Sequence, residues 1–365
     1  LNERNADFQR PGVDRNLPVF YKKLSERLDF PLSWLSGNFR GFDVWRKAAR
    51  DKVMQHLLPP PTSAPFDPVI VDEQDRGTHL ARKVVLNITA DSRVLSLMAV
   101  PKGEGPFPGA LILHDHGARF DIGKEKAIRP WNDRPERIRS AKQWVEQYFG
   151  GRFIGDELAR RGYVCLCIDA LNWSDRGGGG YEGQQALAAN LLHLGTSFAG
   201  LIAHEDMRAA QFLATQPGVD PERIAAIGFS MGAFRAWQAA ALSEHIRARI
   251  AVRWMATVKG LVVPGNNQTL GQSAFTMIHP GLFNYLDYPD VASIACPKPM
   301  LFYNGEDDVL FPIASVEEAY AKMRRVWESQ GAGIRLETKL WKAGHIFDLT
   351  MQDAAFSWLA RNLKA

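Results

Sequence analysis

The chain has 365 residues, 46% hydrophobic and 23% charged, which fits a globular protein long enough to bury a full core without disulfides. Its 44 Lys and Arg against 40 Asp and Glu leave a net charge of +4 with no basic cluster, which argues against a nucleic-acid partner. No apolar run approaches the ~20 residues of a membrane span, so no membrane partner is expected.

The 3 Cys are Cys165, Cys167 and Cys296, and the first two fall inside one apolar run, where packing is the expected role. The sequence begins at Leu1, which fits a removed signal peptide or a trimmed start. The expectation favours a periplasmic or secreted location over a cytoplasmic one.

Residues 1–80 read as a helical extension packed on the core. Helices are predicted over 17–30, with Pro18 in the opening turn, and over 41–58. In the second, Val44, Ala48, Val53 and Leu57 recur near every fourth position, and Pro59-Pro60-Pro61 stops it. Residues 59–80 then run as a Pro- and Asp-rich connection.

Residues 81–365 alternate strands with helices. A hairpin is predicted over 82–89 and 93–100, around Ala90-Asp91-Ser92. Apolar runs follow at 109–113, 163–168, 224–229, 250–254, 299–303 and 334–340. Helical stretches at 154–161, 184–194, 202–215, 233–243, 315–328 and 351–363 separate or follow them. This order predicts the α/β class: a mixed, mostly parallel sheet of about eight strands with helices on both faces. The stretch around 257–290 is a long insert rich in Gly, Asn and aromatic residues, of the kind that supplies lids or binding loops.

One motif organises the rest. Gly228-Phe229-Ser230-Met231-Gly232 reads G-x-S-x-G between a strand and an Ala-rich helix. That is the sequence of a nucleophile elbow, where a strained Ser sits between two residues that need no Cβ. The Met231 N–H then opens a helix, where developing negative charge is stabilised.

Groups at the carboxyl ends of other strands complete the pattern. Glu306, Asp307 and Asp308 follow one strand, and His345 follows the last, in the order Ser…Asp…His. The imidazole takes the Ser proton and returns it to the leaving group, while the acid orients it. Asp308 is the first choice of acid and Asp307 the second. The loop His116-Gly117-Ala118-Arg119 after the first parallel strand should give the second oxyanion donor, with the Ala118 N–H preferred over that of Arg119. His114-Asp115-His116 has ligand spacing, but no third ligand accompanies it, so no metal is expected. Glu125 stands where a phosphate loop needs Ser or Thr, and the spacing before Gly123-Lys124 is wrong for one. Residues 177–180 read as a mobile Gly loop near the mouth of the site.

With these residues the chain resembles the α/β-hydrolase superfamily. More narrowly, it is similar to the dienelactone-hydrolase-related and acetyl xylan esterase-like bacterial hydrolases. The likeness rests on His114-Asp115-His116-Gly117, Gly123-Lys124-Glu125-Lys126, Asp220-Pro221-Glu222-Arg223-Ile224, the Ser230 elbow, Asn304-Gly305-Glu306-Asp307-Asp308 and Ala343-Gly344-His345, over residues 80–365. The resemblance implies a carboxylic ester hydrolase that needs no cofactor and acts on a small-molecule or oligosaccharide ester, the trimming of acyl groups from a polysaccharide being one such reaction. Dienelactone hydrolases proper carry a Cys nucleophile, so Ser230 argues against that reaction. Arg119, Trp173, Arg235 and His279 are candidate substrate contacts. Phe120, Met231, Phe311 and Phe347 stand beside the motifs and predict a small acyl pocket. An amidase or peptidase on the same residues, and a non-catalytic carbohydrate-associated member of the fold, are the alternatives. Oligomeric state is left open.

Overall fold

The computed structural model describes residues 13–14, 17–18, 20–263, 266–267 and 274–363. The extension contributes helices α1 (Phe20–Glu26) and α2 (Phe42–His56). The face that α2 buries is Trp45, Ala49 and Val53, while Val44 is 67% exposed. Val53 and Leu57 are buried as predicted, whereas Trp45 and Ala49 take the places of Val44 and Ala48 in the first turns, because the large indole of Trp45 gains most from burial.

Nine strands form the central sheet: β1 (Val69–Asp75), β2 (His79–Thr89), β3 (Ser92–Pro101), β4 (Phe107–Leu113), β5 (Val164–Ile168), β6 (Val219–Phe229), β7 (Ala248–Val252), β8 (Met300–Gly305) and β9 (Leu336–Trp341). Their order is β1-β2-β3-β5-β4-β6-β7-β8-β9. The pairs β1–β2, β2–β3 and β3–β5 are antiparallel, and all others are parallel. β1 lies in the stretch expected to be a connection. It pairs on one side only, and Val69, Ile70 and Val71 are all exposed, so it lacks the alternation that marks a half-buried strand.

Helices cover both faces. α3 (Pro135–Tyr148), α4 (Ile154–Arg160) and α11 (Leu349–Asn362) lie over one; α6 (Phe198–Ala214), α7 (Met231–Leu242), α9 (Tyr288–Ser293) and α10 (Ile313–Ser329) lie over the other. The sequence reading missed α3. Its run of Arg, Lys, Gln and Glu hides a buried stripe of Ala141, Trp144 and Val145. α5 (Gly180–His193) starts inside the glycine run that was read as a mobile loop. The insert holds the short α8 (Val258–Leu261), two 3₁₀ turns and α9; its residues 264–265 and 268–273 lie outside the described ones.

The extension and the insert pack on each other. Leu32 N–H donates to Tyr285 O at 3.1 Å, Ser33 Oγ to Asp290 Oδ1 at 2.6 Å, and His56 Nδ1 lies 2.8 Å from Pro280 O. β4 has β5 on one side and β6 on the other, so the chain reverses its direction of winding there. That opens a crevice at the carboxyl ends of β4 and β6.

Candidate active site

Ser230 sits at the end of β6 with φ 55° and ψ −125°, a conformation that L-residues rarely hold. The flanking glycines are required by contact. A Cβ on Gly228 would meet the carbonyl of Gly232, and one on Gly232 would meet that of Leu113. Ser230 N–H donates to Val252 O at 2.8 Å, so the strained residue is tied to the neighbouring strand. Met231 opens α7, and its N–H is among those a helix leaves without an internal acceptor.

His345 Nδ1 lies 2.7 Å from Asp308 Oδ2. The Asp308 side chain is fully buried, and its Oδ1 accepts Leu310 N–H at 3.1 Å. Glu306 and Asp307 are exposed. The imidazole rests against the Phe229 ring, with centroids 4.8 Å apart. Ser230 and His345 line one pocket of about 260 Å³, together with His116, Gly117, Ala118, Tyr148, Met231, Trp254, Met277 and Leu310.

The loop after β4 turns through two left-handed residues, Gly117 at φ 54° and Ala118 at φ 57°. A Cβ on Gly117 would run into the Trp144 indole. Ala118 N–H donates to His116 Nδ1 at 3.2 Å, and the other ring nitrogen of His116 lies 2.7 Å from Gln184 Oε1. Buried Lys126 donates to the carbonyls of Asp115 and His116, each at 3.0 Å. Buried Lys124 holds Glu125, Asp169 and Asp175 at 2.6–2.8 Å. The Gly-Lys-Glu-Lys segment is thus an internal anchor for the loop, and the acids around Lys124 raise its proton affinity far above that of an ordinary lysine despite its burial.

Three of the proposed substrate contacts turn out to be interior. Trp173 is 0% exposed, stacks on Phe120 and donates Nε1–H to His116 O at 3.1 Å. Arg235 forms a buried ion pair with Asp206, with bonds of 2.6 and 2.9 Å, and reaches His114 O at 3.2 Å. His279 is 2% exposed and its Nε2 lies 2.6 Å from Gln238 Oε1; burial lowers its pKa to about 3. Each has the chemistry to bind a sugar, and each is instead used to hold the fold. Arg119 is partly exposed in the loop after Ala118 but does not line the pocket.

The expected acyl lining is also revised. Met231 does line the pocket, but Phe311 packs on Trp254, and Phe347 packs between Phe149 and Phe356. The apolar lining comes instead from Trp254, Met277 and Leu310, and Tyr148 adds a phenol. Gln147 Nε2 donates to that phenol oxygen at 3.0 Å, which leaves the O–H able to donate elsewhere.

The H-x-H pair has partners of its own. His114 Nδ1 lies 2.9 Å from Asp115 O, and its Nε2 accepts Ala170 N–H at 2.9 Å. Burial, then the nearby Arg235 and Lys126, push its pKa well below the ordinary value, so this ring is neutral.

Residues 150–355 match the dienelactone hydrolase family. The chain belongs to that family. Among curated proteins it is 24% identical over 317 residues to YtaP of Bacillus subtilis (strain 168), covering 86% of this chain and 99% of that one. Among solved structures it is similar to a glucuronoyl esterase from Solibacter usitatus, with TM-score 0.63, 13% identity, and 91% of this chain and 94% of that one covered. An acetyl xylan esterase from Paenibacillus sp. R4 gives TM-score 0.58 and 16% identity over 93% of this chain and 99% of that one. At such identities the structural likeness is one of fold, the α/β-hydrolase fold. This member of the dienelactone hydrolase family carries Ser230 at the elbow.

Proposed function

We propose that the protein is a serine carboxylic ester hydrolase that removes short, uncharged acyl groups, acetyl above all, from a carbohydrate or other small ester. One observation carries this reading: a strained Ser230 and an Asp308-paired His345 open into the same small pocket. Ser230 Oγ attacks the ester carbonyl as His345 accepts its proton. The tetrahedral oxyanion is held by Met231 N–H and by Ala118 N–H, which turns from the His116 ring toward the substrate. His345 then protonates the departing alcohol and activates the water that releases the acid. The reaction uses no cofactor.

The pocket lining supports the substrate class. Among the described residues it contains no Lys, Arg, Asp or Glu, so it offers no partner to a charged acyl group. Trp254, Met277 and Leu310 give the acyl group an apolar wall, and Tyr148 supplies a donor suited to an alcohol oxygen. The test is kcat/KM on nitrophenyl esters from acetyl to octanoyl, alongside acetate release from acetylated xylo-oligosaccharides. A fall in kcat/KM beyond butanoyl supports the reading; a rise toward octanoyl overturns it.

A further inference from the structure

The loops that carry Ser230, Asp308 and His345 are all tied to one dipeptide, Val252-Arg253, at the end of β7. Ser230 N–H donates to Val252 O at 2.8 Å. Arg253 N–H donates to Tyr303 O at 2.6 Å, on the strand that leads to Asp308. Arg253 Nε donates to Ile346 O at 2.9 Å, on the residue after His345. The Arg253 backbone is left-handed, with φ 66°, which turns its side chain toward these loops rather than along the sheet. Gly305 leaves the space for it: a Cβ there would meet the guanidinium and the carbonyl of Ala343.

The guanidinium is buried, as that of Arg249 four residues earlier also is. Arg253 is 0% exposed, and its Nη1 has no hydrogen-bond partner among the described residues. Nη2 reaches only the Met351 sulfur, at 3.5 Å. A buried guanidinium with incomplete bonding costs stability, and a well-packed apolar side chain would avoid that cost.

We propose that Arg253 is a positioning residue, which pins the His345 loop against Asp308. The proposal rests on the Ser230–His345–Asp308 reading above. Burial lowers the Arg253 pKa, and Asp308 is the foremost acid opposing that shift, ahead of Asp348 and Asp307; the Tyr320 phenol is the remaining titratable neighbour. During the attack His345 becomes an imidazolium beside Asp308. The bond from Arg253 to Ile346 O holds the His345 loop so that Nδ1 stays on Asp308 while the ring carries that charge.

The test uses the second-order rate at which a fluorophosphonate labels Ser230, measured against pH, so that it does not depend on knowing the substrate. In this step Ser230 Oγ bonds to phosphorus, fluoride leaves, and the Ser proton passes to His345. Arg253→Lys keeps the charge but not the planar fork, and Arg253→Gln keeps a donor without the charge; near-UV circular dichroism checks that each folds. Both should label at least about ten-fold more slowly. On nitrophenyl acetate the loss in both variants should fall on kcat, with KM within about three-fold of wild type. Labelling within two-fold of wild type in either folded variant overturns the proposal, as does a loss carried by KM alone. If Arg253→Gln does not fold, the rate of Arg253→Lys alone decides. Wild-type protein that fails to label at Ser230 at any pH defeats the serine-hydrolase reading itself.

Discussion

Asp308 holds its carboxylate 2.7 Å from His345 Nδ1, although the imidazole is partly exposed and the carboxylate fully buried. The chain neighbour Asp307 is in solvent. Adjacent acids thus differ completely in environment, and that difference yields a prediction. Asp308→Asn should lower kcat by about 10⁴-fold, because an amide no longer selects the productive tautomer. Asp307→Asn should change kcat by less than about three-fold. Steady-state kinetics on nitrophenyl acetate checks both, and the reverse order would move the acid to Asp307.

Ser230→Ala should abolish ester hydrolysis, a loss on the order of 10⁴-fold or more, with the melting temperature unchanged or raised. The backbone strain at φ 55° remains, because Ala keeps the Cβ that causes it, so any rise comes only from losing the pocket-facing hydroxyl. Retained hydrolysis in a folded variant would remove Ser230 from the mechanism.

Leu310 and Met277 line the pocket beside Ser230, so under the proposed function they would bound the acyl group. Leu310→Ala and Met277→Ala should each shift the optimum of the ester series toward longer chains. A methylene in an apolar site is worth about 1–3 kcal/mol, so butanoyl over acetyl should gain at least about ten-fold in kcat/KM. Phe347→Leu, outside the pocket, should leave the ratio unchanged. An unmoved ratio in both pocket variants would show that the acyl group binds elsewhere.

Stability should fall as the pH rises through the titration of Asp290. Burial, with the Asp287 charge second, pushes this carboxyl up to about 6 from 3.8. Between those values the folded chain keeps a proton that the unfolded chain releases, so the ionised form penalises folding. The penalty grows from about pH 4 to about pH 6 and is constant above, with an upper size on the order of 3 kcal/mol. Asp290→Asn should remove this fall. Its overall stability also reflects the altered bonds to Ser33 and Asp287, so the slope is the readout. Urea midpoints of both proteins at about pH 4.5 and 7.5 check it, and parallel changes would contradict it.

The sequence and the tertiary structure determined different things here. Ser230 needs a left-handed backbone and close neighbours without Cβ atoms, so the strand-to-helix turn wrote Gly228 and Gly232 into the chain itself. The parallel strands were equally legible, because burial on both faces demands continuous apolar runs such as 109–113 and 164–168. Local constraints of that kind leave local marks.

The apolar remainder of the pocket lining left none. Tyr148 comes from the helix α3 that its charged surface concealed, Met277 from the insert, and Trp254 from the end of β7. Trp173, Arg235 and His279 show the converse. Their chemistry suits a binding site, yet each is buried against a partner far away in the chain, His116, Asp206 and Gln238. An indole, a guanidinium or an imidazole serves core and site equally well, and which of the two it serves depends on what the rest of the fold brings against it. Only the tertiary structure could decide that, because burial belongs to the packed molecule and not to the residue.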